Sequence, residues 1–126
     1  MFRILCTLVG IVSVFYGSAY TLAPDFVAGL YLPAPNAEAA LVGRFVGLSM
    51  LFIGIACWLI RDTSDPIAKK AISVAGLVSS IVGFATSLYF TLNGELSTFG
   101  WSAVIIYLVF GVGWLMALNS SKEPVV

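Results

Sequence analysis

Leu41-Val-Gly-Arg44-Phe-Val-Gly47-Leu-Ser-Met-Leu-Phe-Ile-Gly54-Ile-Ala-Cys57-Trp58-Leu-Ile60, followed at once by Arg61-Asp-Thr-Ser-Asp65-Pro66-Ile-Ala-Lys69-Lys70, decides the fold. The first part is apolar apart from one charge. The second part is short and basic. A hydrocarbon core about 30 Å thick takes about 20 helical residues to cross. In lipid a helix satisfies its own backbone hydrogen bonds, so an unbroken apolar run of this length crosses as one. Three more runs share the character: Ile4 to Leu22, Ala71 to Leu92 and Trp101 to Leu118. Barrel strands would be about ten residues long and alternate apolar with polar. These runs do not alternate. The expected fold is all-α, a four-transmembrane-helix bundle in a single integral membrane domain over 1–126, with spans at about 4–22, 41–60, 71–92 and 101–118.

The basic residues give the direction of insertion. Arg3, Arg61, Lys69, Lys70 and Lys122 fall at the N-terminus, in the second loop and in the C-terminal tail, while the first and third loops hold no Lys or Arg. Basic loops stay in the cytoplasm, so both ends are expected there: N-in, C-in. Composition agrees with a bilayer address. The chain is 60% hydrophobic and 10% charged, against about 25% charged in ordinary proteins, and its mean hydropathy is +1.06.

Several function classes fall away. Net charge is zero and no basic stripe exists, so no nucleic-acid partner is expected. Histidine is absent, which removes bis-histidine haem, histidine–zinc sites and a histidine base. No metal, cofactor or catalytic residue is expected. Cys6 and Cys57 both read as small apolar packing residues near the cytoplasmic helix ends, where disulfides rarely persist. The first run is longer than a signal-peptide core of about 7–15 residues and lacks a small-x-small cleavage site before Pro24, so it reads as a retained helix.

The loops carry local signals. Pro24 followed by Asp25 suits a short helical turn, either lying in the membrane interface through Phe26, Leu30 and Tyr31 or packed as an ordered loop on the helix ends. Thr63, Ser64 or Asp65 can cap the third span, with Pro66 in its first turn. Asn93-Gly94 suits a left-handed cap ending that span, and Ser97 or Thr98 suits the start of the fourth. Trp101 is expected at the outer interface, Trp58 and Trp114 at the inner one. The tail from Asn119 reads as loose.

Every span has a stripe of small residues: Cys6, Gly10, Ser13 and Gly17; Gly43, Gly47 and Gly54; Gly76, Ser80, Gly83 and Ser87; Gly111 near Gly113. Spacings of three and four put each stripe on one face, where small side chains let helices approach closely in lipid. A compact bundle is expected, with Gly43-x-x-x-Gly47 packing inside it or marking a dimer face. A faint repeat also runs through the chain. Gly10, Ser13, Gly17 and Ala19 match Gly76, Ser79, Gly83 and Ala85 at one offset, which would make the first and third spans parallel equivalents about an axis along the membrane normal.

One charge stands inside a span. Arg44 lies four residues into the second, at an end predicted to be external. Charges at depth are costly and turn to a partner, a cavity or the surface. Three readings follow: snorkelling to the surface; an inward ion pair with Glu95 first and Asp25 second, Glu38 being the third external acid; or a bidentate anion or headgroup site. Tyr20, Tyr89, Asn93, Ser102 and Tyr107 add polar groups to the same half. The inward ion pair is the expectation carried forward. Arg44, Glu95, Asp25, Glu38 and Tyr107 are thus the candidate binding or ion-pair residues.

Ala37-Glu-Ala-Ala-Leu-Val-Gly-Arg-Phe-Val-Gly47, Gly54, Trp58-Leu-Ile-Arg-Asp62, Ala68-Lys-Lys-Ala71, Asn93-Gly94 and Phe99-Gly-Trp101 resemble a group of small bacterial four-helix membrane proteins, loosely akin to DoxX-like proteins. The resemblance covers most of Ala37 to Trp114. It implies the fold and a bacterial inner-membrane address, places Arg44 at the Arg of an Arg-x-x-Gly element, and supplies no catalytic residue. Small multidrug exporters of this size depend on an acid in the first span, and none stands between Ile4 and Leu22. Three functions remain, in order of expectation. The first is a non-catalytic accessory subunit packing in the lipid bilayer against other membrane subunits or a further copy of itself. The second is a binder or carrier of a small lipophilic molecule such as a quinone, pigment or lipid. The third is a small transporter or an enzyme, which lacks an ionisable relay in mid-membrane.

Overall fold

A computed structural model describes residues 1–120 of the chain. Lys122 and the tail beyond Ser120 lie outside the described residues. Among those described, the chain forms five helices and no strand: α1 (Phe2–Leu22), α2 (Pro24–Tyr31), α3 (Ala37–Ile60), α4 (Pro66–Leu92) and α5 (Gly100–Ser120). α1, α3, α4 and α5 are each long and apolar enough to cross a membrane. They extend the expected spans by a few residues at most ends, and α5 continues through Asn119 and Ser120, where a loose tail was expected.

Local chemistry sets the boundaries. Asp65 is the residue that caps α4: its carboxylate accepts from the Ile67 N–H at 2.9 Å, and Pro66 occupies the first turn. Asn36 caps α3 by accepting from the Ala39 N–H at 2.8 Å. α4 ends at Asn93, and Gly94 takes the left-handed conformation at φ 75° that a residue with a Cβ adopts poorly. Ser97 does not cap α5. Its hydroxyl donates to the Leu30 carbonyl and its N–H donates to the Tyr31 carbonyl at 2.7 Å, which ties the α4–α5 turn to the end of α2. α2 buries Pro24, Val27 and Ala28 against the bundle and leaves Asp25 and Phe26 exposed.

The long helices associate as two antiparallel pairs, α1 with α3 and α4 with α5. In the first pair the backbones themselves meet. A Cβ on Gly17 would lie 2.8 Å from the Gly47 carbonyl oxygen and a Cβ on Gly47 2.8 Å from that of Gly17. Gly10 and Gly54 face each other in the same way. The second pair uses its glycines differently: the Trp114 ring lies over Gly76 and the Tyr107 ring over Gly83. Ser73, Ser80 and Ser87, which alternate with these glycines, are buried too, so α4 presents a small-residue seam at alternating steps of three and four.

The two pairs share one register. Gly10 meets Trp58 and Gly17 meets Leu51 in the first pair, while Gly76 meets Trp114 and Gly83 meets Tyr107 in the second. Adding 66 to each α1 residue and 56 to each α3 residue produces the α4–α5 contacts. The repeat seen in α1 and α4 therefore extends to how each helix is paired. Between the pairs, contact is slight and concentrated at one end, where Phe2, Leu5, Cys6, Cys57, Trp114 and Ala117 form the buried core. Leu5 packs on Gly113, and the Phe2 and Trp114 rings meet edge to face at 6.3 Å. Trp114 is thus a core residue, not an interfacial one as its position suggested, because Gly76 leaves room for its ring. Trp58, exposed beneath the Arg61 guanidinium at 3.7 Å, and Trp101 remain on the surface.

Candidate functional site

Where the pairs separate they leave a half-open chamber of about 950 Å³. All five helices line it. α3 and α4 make little or no direct contact along their length. The lining is mostly apolar, and repeat-related residues face it in twos: Val9 with Ala75, Ser13 with Ser79 and Met50 with Ile106. The chamber therefore lies between the two like pairs.

Its polar groups collect towards the end where α2 lies. Tyr16 and Tyr20, one turn apart on α1, join Tyr31 of α2 and Tyr107 of α5 in the lining. The Tyr20 and Tyr31 rings stack at 6.5 Å with 17° between planes, and Phe99 meets Tyr31 edge on at 4.9 Å. The Ser102 and Tyr16 side chains are neighbours of the Tyr31 hydroxyl. Burial pushes the Tyr31 phenol above its ordinary range, Ser102 opposing only in part, so it stays a neutral hydroxyl at physiological pH. Among the described residues no Lys or Arg lines the chamber. Its one acid among them is Glu38, exposed in the first turn of α3, where the helix dipole favours a carboxylate. At the opposite end the walls are Ile72, Phe110, Trp114 and Cys57. Cys57 and Cys6 are both buried free thiols in the same core cluster.

The candidate residues divide. Tyr107 and Glu38 line the chamber. Arg44, Glu95 and Asp25 do not, and all three are exposed. The inward pairing expected of Arg44 with Glu95 or Asp25 is not made. Among the described residues the ion pairs are Arg3–Asp62 at 2.9 Å and Arg61–Asp62 at 3.4 Å, both at the other end of the molecule. The reason is rotational. Gly43 faces Tyr20 and Gly47 faces Gly17, and Arg44, one residue after Gly43, turns away by about 100°. Glu95 sits in the α4–α5 turn, on helices that α3 scarcely touches. Tyr89 is exposed and meets Phe90, while Asn93 is the α4 cap.

Sequence reading missed Tyr16 and Tyr31 as members of one cluster. The available signals were the one-turn spacing of Tyr16 and Tyr20 and the match of Ser13 to Ser79 within the repeat. No family model, curated protein or solved structure matches the chain.

Proposed function

We propose that this protein binds or carries a small lipophilic molecule in the chamber between its two helix pairs. The observation that supports the reading is the chamber itself. Its volume of about 950 Å³ suits a lipid-like or drug-sized ligand, and it combines apolar walls with a few convergent polar groups. Its place at the interface of two equivalent halves is where membrane proteins built from repeats commonly site their ligands. An accessory subunit, the function first expected from the sequence, asks only for a packed bundle and gives no reason for such a space. The basic residues support insertion with both ends in the cytoplasm, and the resemblance to DoxX-like proteins supports a bacterial inner membrane as the setting.

The test is isolation from native membranes at low detergent, followed by mass spectrometry of co-purifying small hydrophobic molecules. Ser79 lines the chamber on an exposed stretch of α4, so Ser79→Trp fills the space without entering a helix contact. A molecule enriched with the parent protein and lost from the Ser79→Trp variant is the expected result. Recovery of bulk bilayer lipids alone, in equal proportion from both, would sink the reading.

A further inference from the structure

The distribution of polarity along the chamber carries the assignment of a ligand class and a direction of binding. Four phenols gather at one end, and the other end is lined by Ile72, Phe110, Cys57 and the Trp114 ring. Phenol hydroxyls donate and accept hydrogen bonds but carry no charge. A phosphate or carboxylate head drawn in among them would lose its water without meeting a cation. A cationic head would meet rings, yet no buried counter-charge, because Glu38 is held at the rim on an exposed turn. We propose that the ligand is a neutral lipophile with an uncharged oxygen-bearing head, seated with that head among Tyr16, Tyr20, Tyr31 and Tyr107 and its apolar chain extending towards Trp114. This rests on the chamber being a ligand site. The head takes hydrogen bonds from the phenols, and the apolar chain enters from the bilayer between α3 and α4, which scarcely touch.

The far wall supplies a reporter. Replacing Trp58 and Trp101, both exposed, with Phe leaves Trp114 as the one tryptophan. In phosphatidylcholine nanodiscs, three probes with the same alkyl chain are titrated: a monoacylglycerol, the fatty acid and the trimethylammonium. Each is prepared with bromine at the chain terminus or beside the head. The terminally brominated monoacylglycerol should quench Trp114 saturably, and its head-brominated form should not. Tyr20→Phe and Tyr107→Phe, which keep the rings, should each weaken that binding about threefold to tenfold, the worth of one hydrogen bond. Saturable quenching by the acid or the ammonium at the same concentrations overturns the neutral class while leaving the chamber as a site. Quenching by the head-brominated form overturns the direction, and unchanged affinity in both Tyr variants overturns the role of the phenols. Absence of saturable quenching by every probe overturns the chamber as a ligand site, and this assignment with it.

Discussion

Arg44 shows how little a residue's depth says about its direction. A charge four residues into a span needs a partner or a route to water, and sequence cannot choose between them. Helical phase chooses here: the glycines on either side of Arg44 point at α1, so the guanidinium points elsewhere. Arg44→Ala and Glu95→Gln should therefore act additively on thermal stability in detergent, within about 0.5 kcal/mol. A coupling clearly beyond that would show that the two side chains meet. Glycines are governed by space in the same way. Gly47→Ala sets a methyl against the Gly17 carbonyl, a backbone atom that cannot swing aside. A loss of about 1–3 kcal/mol is expected. Gly29→Ala meets nothing within 4 Å and lies inside α2, so it should be neutral or stabilise by up to about 1 kcal/mol. Equal unfolding temperatures for the two variants would contradict the α1–α3 packing.

At the scale of elements, most of what was legible was punctuation. Pro24, Pro66, Asp65 and Asn93-Gly94 mark helix ends by chemistry that acts within a few residues, and those ends are where the structure has them. Ser97 was read by the same rules and does something else, because a hydroxyl near a helix start also reaches any carbonyl that folding brings to it. Leu30, distant in sequence, supplies that carbonyl. Asp65→Ala should cost about 1 kcal/mol as a lost cap. Ser97→Ala should cost a similar amount, about 1 kcal/mol, and in addition should speed amide hydrogen exchange at the end of α2. Exchange confined to the α4–α5 turn would mean that the strap carries no load between the two segments.

For the molecule as a whole, two like pairs meeting at one end explain why a chain of small faces is not a solid bundle. The facing glycines are used within their own pair, Gly10 and Gly17 by α3, Gly76 and Gly83 by α5. Little is left to draw the pairs together except the core around Phe2, Leu5 and Trp114. Orientation is the remaining property at this scale. Five basic residues against Arg44 alone argue for N-in, C-in. Cysteines introduced at exposed Glu95 and exposed Ser64, in a Cys6→Ala/Cys57→Ala background, should label with an impermeant thiol reagent from outside and only after permeabilisation, respectively. The opposite pattern would invert the topology.

By itself the sequence determined whatever depends on length, local order and apolar content: four spans, the short helix after Pro24, the caps, and the small faces on which the helices pack. Those properties are summed along the chain, and hydrocarbon leaves the backbone no alternative to a helix. The tertiary structure alone decided which small face meets which, that Trp114 turns inward while Arg44 turns out, and that four tyrosines from three helices share one space. In lipid every apolar face is equally soluble, so hydropathy carries no information about partners. Close packing between particular glycines, rings and carbonyls makes that choice, and such contacts exist only once the helices are side by side.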